Sequence, residues 1–369
     1  MSKINVNLLA IPESIKLKLG DLSASIDIDK VCDKGANGYT FFGKNRVHNR
    51  RVAVKFYYWG NDPQYHAEPR NLAAIRSDHV VQILDAAYVD HEYAYFVTPF
   101  YPNGDMEDLI GTGGVSGNKH AVKLTQEVLA GLVDLHSHRL LHRDLKPQNI
   151  LIDQRGRALI GDFGSVKAIP HGMETVPGSG HSLIYRPPES ISSNQYGVAG
   201  DLYQVGVLLF QLLGGYLPYD ENAWLNKREK KKYFAIQGDV DRSIYATQTI
   251  SAKIERGRVI DSGTLPPWVC GPLRRTVTKA CNRLPRQRFE STAAFLAHLG
   301  RLAPSIHDWQ VVDGFPTLIA KTSYRICASA RDRELYVEKQ IRSGWRRNNT
   351  FAGQDIESLV REIETRTLR

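Results

Sequence analysis

Ten residues, His142–Leu151 (HRDLKPQNIL), constrain this 369-residue chain more than any other stretch. They set a carboxylate, an ammonium and an amide at Asp144, Lys146 and Asn149, with a proline at 147. Proline has no N–H to donate and crowds the preceding turn, so it disfavours a helix here. A loop must therefore bring Asp144 and Asn149 together. The strand-like Ile150–Ile152 and Ala158–Gly161 flank a turn, Asp153–Arg157. That hairpin returns a second carboxylate, Asp162 of Asp162-Phe163-Gly164, to the side of Asn149. Phosphoryl transfer needs a carboxylate to orient the attacking hydroxyl and a cation to neutralise developing charge. It also needs two oxygen-bearing groups to hold Mg²⁺ against the phosphates. Asp144, Lys146, Asn149 and Asp162 offer these groups in that order.

Length and composition exclude several other classes. At roughly 150 residues per domain, the chain predicts two domains, or two lobes with an appendage. Apolar residues at 42% and charged residues at 24% exclude a disordered tail or a fibre. A net charge of +9 permits an anionic partner without demanding one. Cys32, Cys270, Cys281 and Cys327 form no Cys-x-x-Cys pair, which argues against a zinc knuckle or a disulfide framework. A reducing, cytoplasmic setting is expected, with Cys32 a packed thiol. The first residues, MSKINVNLLAIPES, lack the apolar core of a signal peptide. Leu202–Tyr219 approaches membrane-span length, but Gln204, Gln211, a Gly-Gly pair and Pro218 predict a buried helix and a turn. No membrane partner is expected.

Along the chain, Val52–Tyr58 and Tyr93–Phe100 read as strands. Tyr65–Ile75 reads as a short helix with Asp62 as its cap and Pro63 at its first position. Helical spacing predicts a helix over His120–His138, and helical patterns continue to about Ala303. Lys227–Lys232 (KREKKK) reads as a solvated helix face. After Pro304 the pattern becomes strand-like at Trp309–Val312, Thr317–Lys321, Tyr324–Ser329 and Leu335–Ile341, with a closing helix at Asp355–Thr365.

Further motifs stand in a fixed order around this loop. They are Asp33-Lys34-Gly35-Ala36-Asn37-Gly38, Val52-Ala53-Val54-Lys55, Glu68, Tyr95–Met106, Pro187-Pro188-Glu189, Asp201 and Arg288. Together with HRDLKPQN and Asp-Phe-Gly, the chain resembles a eukaryotic-type (Hanks-type) serine/threonine protein kinase over roughly residues 28–302. The resemblance implies an α+β bilobal fold: a β-rich N-lobe (about 28–100) and a mainly helical C-lobe (about 101–302). Residues 1–27 would be an N-terminal extension, and 303–369 a small α+β accessory domain. It implies ATP and Mg²⁺ (or Mn²⁺) as cofactors and a serine or threonine of a protein as acceptor. Asp144, Lys146, Asn149, Lys55 and Glu68 would be catalytic, and Asn149 and Asp162 would hold the metal. Nucleotide contacts would come from Gly35, Ala36, Asn37, Gly38, Ala53, Lys55, Thr98, Pro99 and Tyr101. Asp105 would be either a ribose ligand or a turn residue. Glu189, Asp201 and Arg288 would be structural, with Asp201 bracing the catalytic loop and Arg288 pairing with Glu189.

The chain departs from the family pattern at the loop's first glycine, replaced by Asp33, at Pro69 directly after Glu68, and at the hinge, Pro99. None of these removes a catalytic group. Lys146 in Asp-Leu-Lys-Pro-Gln-Asn is the serine/threonine pattern, and Ser182 stands where the family has a threonine beside the acceptor. Arg143, next to Asp144, is expected to meet a phosphate on the activation segment, at Thr175 or Ser179. A small-molecule kinase is disfavoured by Lys-Pro in the loop, by Asp-Phe-Gly and by the Glu189/Arg288 pairing. A nucleotide-binding scaffold working through its C-terminal domain is the alternative from another class. Eight Lys or Arg against three acids in 321–347, beside Trp345, would permit a nucleic-acid surface. A domain that docks a partner or braces the lobe is the preferred reading.

Overall fold

The computed structural model describes residues 4, 8–32, 38–60, 70, 73, 75–111, 117–180, 182–329 and 334–367. The β-branched and aromatic runs of the first hundred residues become strands because alternate side chains reach one buried face. These are β1 (Ile26–Val31), β2 (Tyr39–Asn45), β3 (Arg51–Tyr58), β4 (Asp85–Tyr88) and β5 (Tyr93–Pro99). They form an antiparallel sheet in the order β1-β2-β3-β5-β4. Val52, Val54 and Phe56 alternate along β3, all fully buried. Helix α1 (Glu13–Leu22) sets Ile15 and Leu19, one turn apart, against Ile26, Phe41, Val52 and Val54. Residues assigned from the sequence to an extension therefore help to build the N-lobe core. The helix expected over Tyr65–Ile75, with Asp62 and Pro63, lies largely outside the described residues.

The second lobe is helical: α2 (Met106–Gly111), α3 (Asn118–Ser137), α4 (Pro188–Ser192), α5 (Val198–Leu212), α6 (Lys227–Ala235), α7 (Asp239–Glu255), α8 (Gly271–Ala280) and α9 (Thr292–Leu302). Every residue from Gly200 to Leu212 of α5 is buried, so the long apolar run forms the axis of the lobe. Among the described residues no helix is long and apolar enough to cross a membrane. Two-stranded pairs carry the functional loops. β6 (Leu140–Leu141) pairs with β9 (Lys167–Ala168), β7 (Ile150–Ile152) with β8 (Ala158–Ile160), and β10 (Val176–Pro177) with β11 (Gln195–Tyr196).

The C-terminal part is a five-stranded antiparallel meander, β12 (Asp308–Val312), β13 (Phe315–Ile319), β14 (Tyr324–Ala328), β15 (Leu335–Ile341) and β16 (Gly344–Asn348), closed by α10 (Ile356–Thr367). Trp309, Leu318, Ile326 and Val337 pack against Leu359, Val360 and Ile363 of α10. The sequence predicts four strands; the fifth, β16, reads as a cluster of charge at Trp345-Arg346-Arg347. Pairing with β15 makes it a strand, and cations stack on rings across the sheet: Arg347 of β16 stands 4.8 Å over Tyr336, and Arg325 of β14 stands 4.6 Å over Trp345 of β16. This unit is seated on the second lobe. Trp268 packs into its core, and the Asn118 amide donates to the carbonyls of Trp268 (3.0 Å) and His307 (3.3 Å). Asp308 accepts from the Lys119 N–H at 3.4 Å, setting an anion at the N-terminus of α3.

Candidate active site

Asp201, in the first turn of α5, is fully buried and shapes the loop after β6. Its Oδ2 accepts from the His142 N–H (3.0 Å) and from His136 Nε2 (2.8 Å). Its Oδ1 accepts from the Arg143 N–H and the Tyr196 hydroxyl, both at 2.9 Å. Burial alone would raise the Asp201 pKa; hydrogen bonding and attraction from His136, with the loop N–H groups, lower it instead. These bonds hold Arg143 at φ +71°, a left-handed conformation costly for a side chain of this size. Gln204, one turn further along α5, accepts from the Leu145 N–H and the Tyr196 hydroxyl, both at 2.9 Å. His142 is fully buried, with Nε2 3.0 Å from the Gly161 carbonyl and its ring edge-on to Phe163 at 5.4 Å. The loop is thus pinned before any ligand arrives.

Inside it, Asp144 and Asn149 meet as their separation requires. Asn149 Nδ2 donates to the Asp144 carbonyl (2.7 Å) and to Asp144 Oδ2 (3.1 Å), which leaves the Asn149 Oδ1 as an acceptor. Lys146 Nζ bridges Asp144 Oδ2 at 2.8 Å and the Ser182 hydroxyl at 2.9 Å. The other Asp144 oxygen, Oδ1, is buried and has no donor among the described residues. A buried acceptor left in this state is costly, and a substrate hydroxyl would satisfy it.

Asp162 follows β8 at φ +52°, and its Oδ1 lies 3.1 Å from Lys55 Nζ, which reaches down from β3. Burial raises the Asp162 pKa, but the Lys55 ammonium outweighs it and holds the carboxyl below its usual range. Ala53 and Thr98 are cross-strand partners, and Pro99 stands opposite Val52. The Phe100 N–H donates to Arg51 at 3.1 Å. Because successive residues of a strand alternate, the Pro99 carbonyl points away from β3. Burial pushes the Tyr101 phenol up to about 12. Asp105 Oδ1 accepts from the Asp108 N–H (2.9 Å) at the start of α2, as a turn residue does. Gly35, Ala36, Asn37, Glu68, Asp33 and Pro69 lie outside the described residues. Gly38 is described, at φ +139°, and a Cβ there would fall 2.1 Å from the Phe56 carbonyl oxygen. Gly38→Ala is expected to cost on the order of 1–3 kcal/mol, read as a lower urea midpoint.

With this geometry in view, comparison with known proteins is decisive. A protein kinase domain model matches residues 28–294. The chain belongs to the protein kinase family. Two bacterial relatives are similar to part of it. A probable serine/threonine-protein kinase pknA2 from Bifidobacterium longum (strain NCC 2705) is 32% identical over 163 residues, 43% of this chain and 21% of that protein. A probable serine/threonine-protein kinase PknB from Lactococcus lactis subsp. lactis (strain IL1403) is 30% identical over 161 residues, 42% of this chain and 25% of that protein. The match thus spans a quarter or less of each relative.

Between Asp162 and Glu189, the Arg143 guanidinium donates to the carbonyls of Ser165 (3.1 Å), Pro177 (2.9 Å) and Gly178 (2.8 Å), while its Nε is buried without an acceptor among the described residues. These bonds tether the segment to the catalytic loop. Thr175 is exposed and Ser179 half-buried. Further on, Arg288 grips Glu189 in a two-pronged pair, both contacts at 2.7 Å, and donates to the carbonyls of Asn282 and Ala199. Toward a metal, the chain presents hard oxygen donors, the Asp162 carboxylate and the Asn149 amide oxygen. No cluster of three His, Cys, Asp or Glu exists among the described residues. That set suits Mg²⁺, which binds through one or two carboxylates and substrate phosphates and keeps part of its water shell.

Proposed function

We propose that the chain is a serine/threonine protein kinase that transfers the γ-phosphoryl group of ATP to a protein hydroxyl. The observation that carries this reading is the buried, donorless Asp144 Oδ1 beside a Lys146 ammonium already fixed on Ser182. Asp144 accepts a hydrogen bond from the acceptor hydroxyl and aims its oxygen at the γ-phosphorus. The new O–P bond forms as the bond to the β-phosphate oxygen breaks, ADP departs, and the hydroxyl proton passes to Asp144. Lys146 offsets charge on the transferred group, and Lys55 steadies the remaining phosphates from β3. Asn149 and Asp162 would hold Mg²⁺, which when bound neutralises charge on the phosphates. Thr98, Pro99 and Tyr101 would line the adenine site, and Gly38 would close the phosphate loop.

Regulation by phosphate at Thr175 or Ser179 was the expectation from Arg143. The carbonyls that Arg143 already holds favour a segment that is ordered without it. The test is transfer of labelled phosphate to a protein acceptor by the full chain, with and without EDTA. The Thr175→Ala/Ser179→Ala protein is expected to retain most of the wild-type rate, and EDTA is expected to abolish transfer. Loss of activity in the double variant would restore the phosphate switch.

For residues 303–369, bracing has the stronger support, because Trp268, Asn118 and Asp308 tie the unit to the catalytic lobe.

A further inference from the structure

We infer that α6 and the adjoining end of α7 form a docking surface for the protein substrate, selecting an acidic segment that carries an apolar side chain. The inference rests on the kinase reading for its occupant, but the surface itself can be tested without catalysis. Residues 227–258 hold nine Lys or Arg against four Asp or Glu, more than half of the chain's net +9. Helix α6 has no buried residue, so core packing does not explain it. It is nevertheless firmly built. Asn226 and Glu229 close a capping box, and Glu229 pairs with Lys253 of α7 at 2.8 Å.

This anchoring turns the helix in a definite sense. Glu229 and Tyr233, one turn apart, share one side of it. Lys227, Lys230, Lys231 and Phe234 share another, by their three-, four- and seven-residue spacings. Phe234 is 63% exposed. None of Lys227, Arg228, Lys230, Lys231 and Lys232 has an ion-pair partner among the described residues. On α7, Val240 and Ile244 add 74% and 50% exposed apolar side chains one turn apart. An exposed Phe234 on the same face as cations without ion-pair partners suits an interface, the apolar groups serving affinity and the charges steering.

Position selects the occupant. Helix α7 packs against Leu183–Tyr185 and against α4, the segment that begins at the Lys146-bound Ser182 and includes Glu189. A chain lying on α6 and α7 is therefore next to the place where an acceptor hydroxyl meets Asp144. An anionic membrane or an RNA would feel the same cations, but neither presents a serine or threonine to that site.

The test compares the full chain with a variant carrying Lys227→Glu, Lys230→Glu, Lys231→Glu and Phe234→Ala. Because none of these side chains is buried, the variant should keep its urea midpoint. The probes are dephosphorylated casein, an acidic acceptor protein, and a short uncharged serine peptide. The casein KM should rise about tenfold, with kcat and the peptide KM unchanged. Casein affinity without ATP should fall by the same factor. Unchanged casein KM and affinity would overturn the proposal. So would a variant that loses binding only to anionic phospholipid vesicles or to single-stranded RNA. A wild-type chain that binds casein through this surface but transfers no phosphate would count against the kinase reading and not against the surface.

Discussion

Replacing Asp144 by Asn is expected to lower the rate of phosphate transfer by about 10²–10⁴-fold, the usual contribution of a positioned acid–base group. The side chain keeps its size, and Asn149 and Lys146 keep a neighbour. What disappears is the negative oxygen that sits buried and without a donor. The loss should fall on kcat with little change in ATP affinity, since Asp144 contacts the acceptor side of the reaction. Steady-state kinetics and nucleotide titration of the same preparation check both. A variant with near-normal kcat would show that another group orients the hydroxyl.

Asp201→Ala should have the largest effect on stability. Four donors converge on this carboxylate: the N–H groups of His142 and Arg143, His136 Nε2 and the Tyr196 hydroxyl. Removing it leaves the two loop N–H groups and His136 Nε2 without this acceptor, while the Tyr196 hydroxyl keeps Gln204, and each orphaned group costs about 1–3 kcal/mol. A loss of at least about 3 kcal/mol is therefore expected, seen as a shifted urea midpoint. Activity should fall as well, because Asp201 accepts from the His142 and Arg143 N–H groups and so holds the left-handed turn directly ahead of Asp144. A loss below about 1 kcal/mol would mean that water replaces the carboxylate freely and that the brace is not the organising contact of the loop.

The parts of this site that were readable in the sequence share one property: each sits within a short stretch whose spacing restricts the backbone. Asp144, Lys146 and Asn149 surround a proline, and Asp162 follows a short hairpin. The distant partners were harder to place, yet Lys55 and Asp162 meet at 3.1 Å across 107 residues, and Glu189 meets Arg288 across 99. The Glu189–Arg288 pairing comes with the family resemblance, the Lys55–Asp162 contact does not, and spacing alone gives neither. Gln204 was missed because its role is one carbonyl oxygen, aimed at the loop from inside an apolar helix. The partners of Arg143 are backbone carbonyls, which no residue pattern announces. Helix α1 falls outside the family motifs, although Ile15, Leu19 and Leu22 lie on one stripe and pack into the N-lobe core. Strand β16 was hidden by its charge: Arg347 and Trp345 behave as cross-strand partners only once β15 lies beside them.

The site is expected to move phosphate from ATP to a protein hydroxyl. Mass spectrometry of the full chain and of added casein, after incubation with Mg²⁺ and ATP, tests it most directly. The expected products carry additions of about 80 Da, one phosphoryl group each, localised to serine or threonine and absent from the Asp144→Asn sample. Unmodified protein in both samples, or equal modification by wild type and Asp144→Asn, would contradict it.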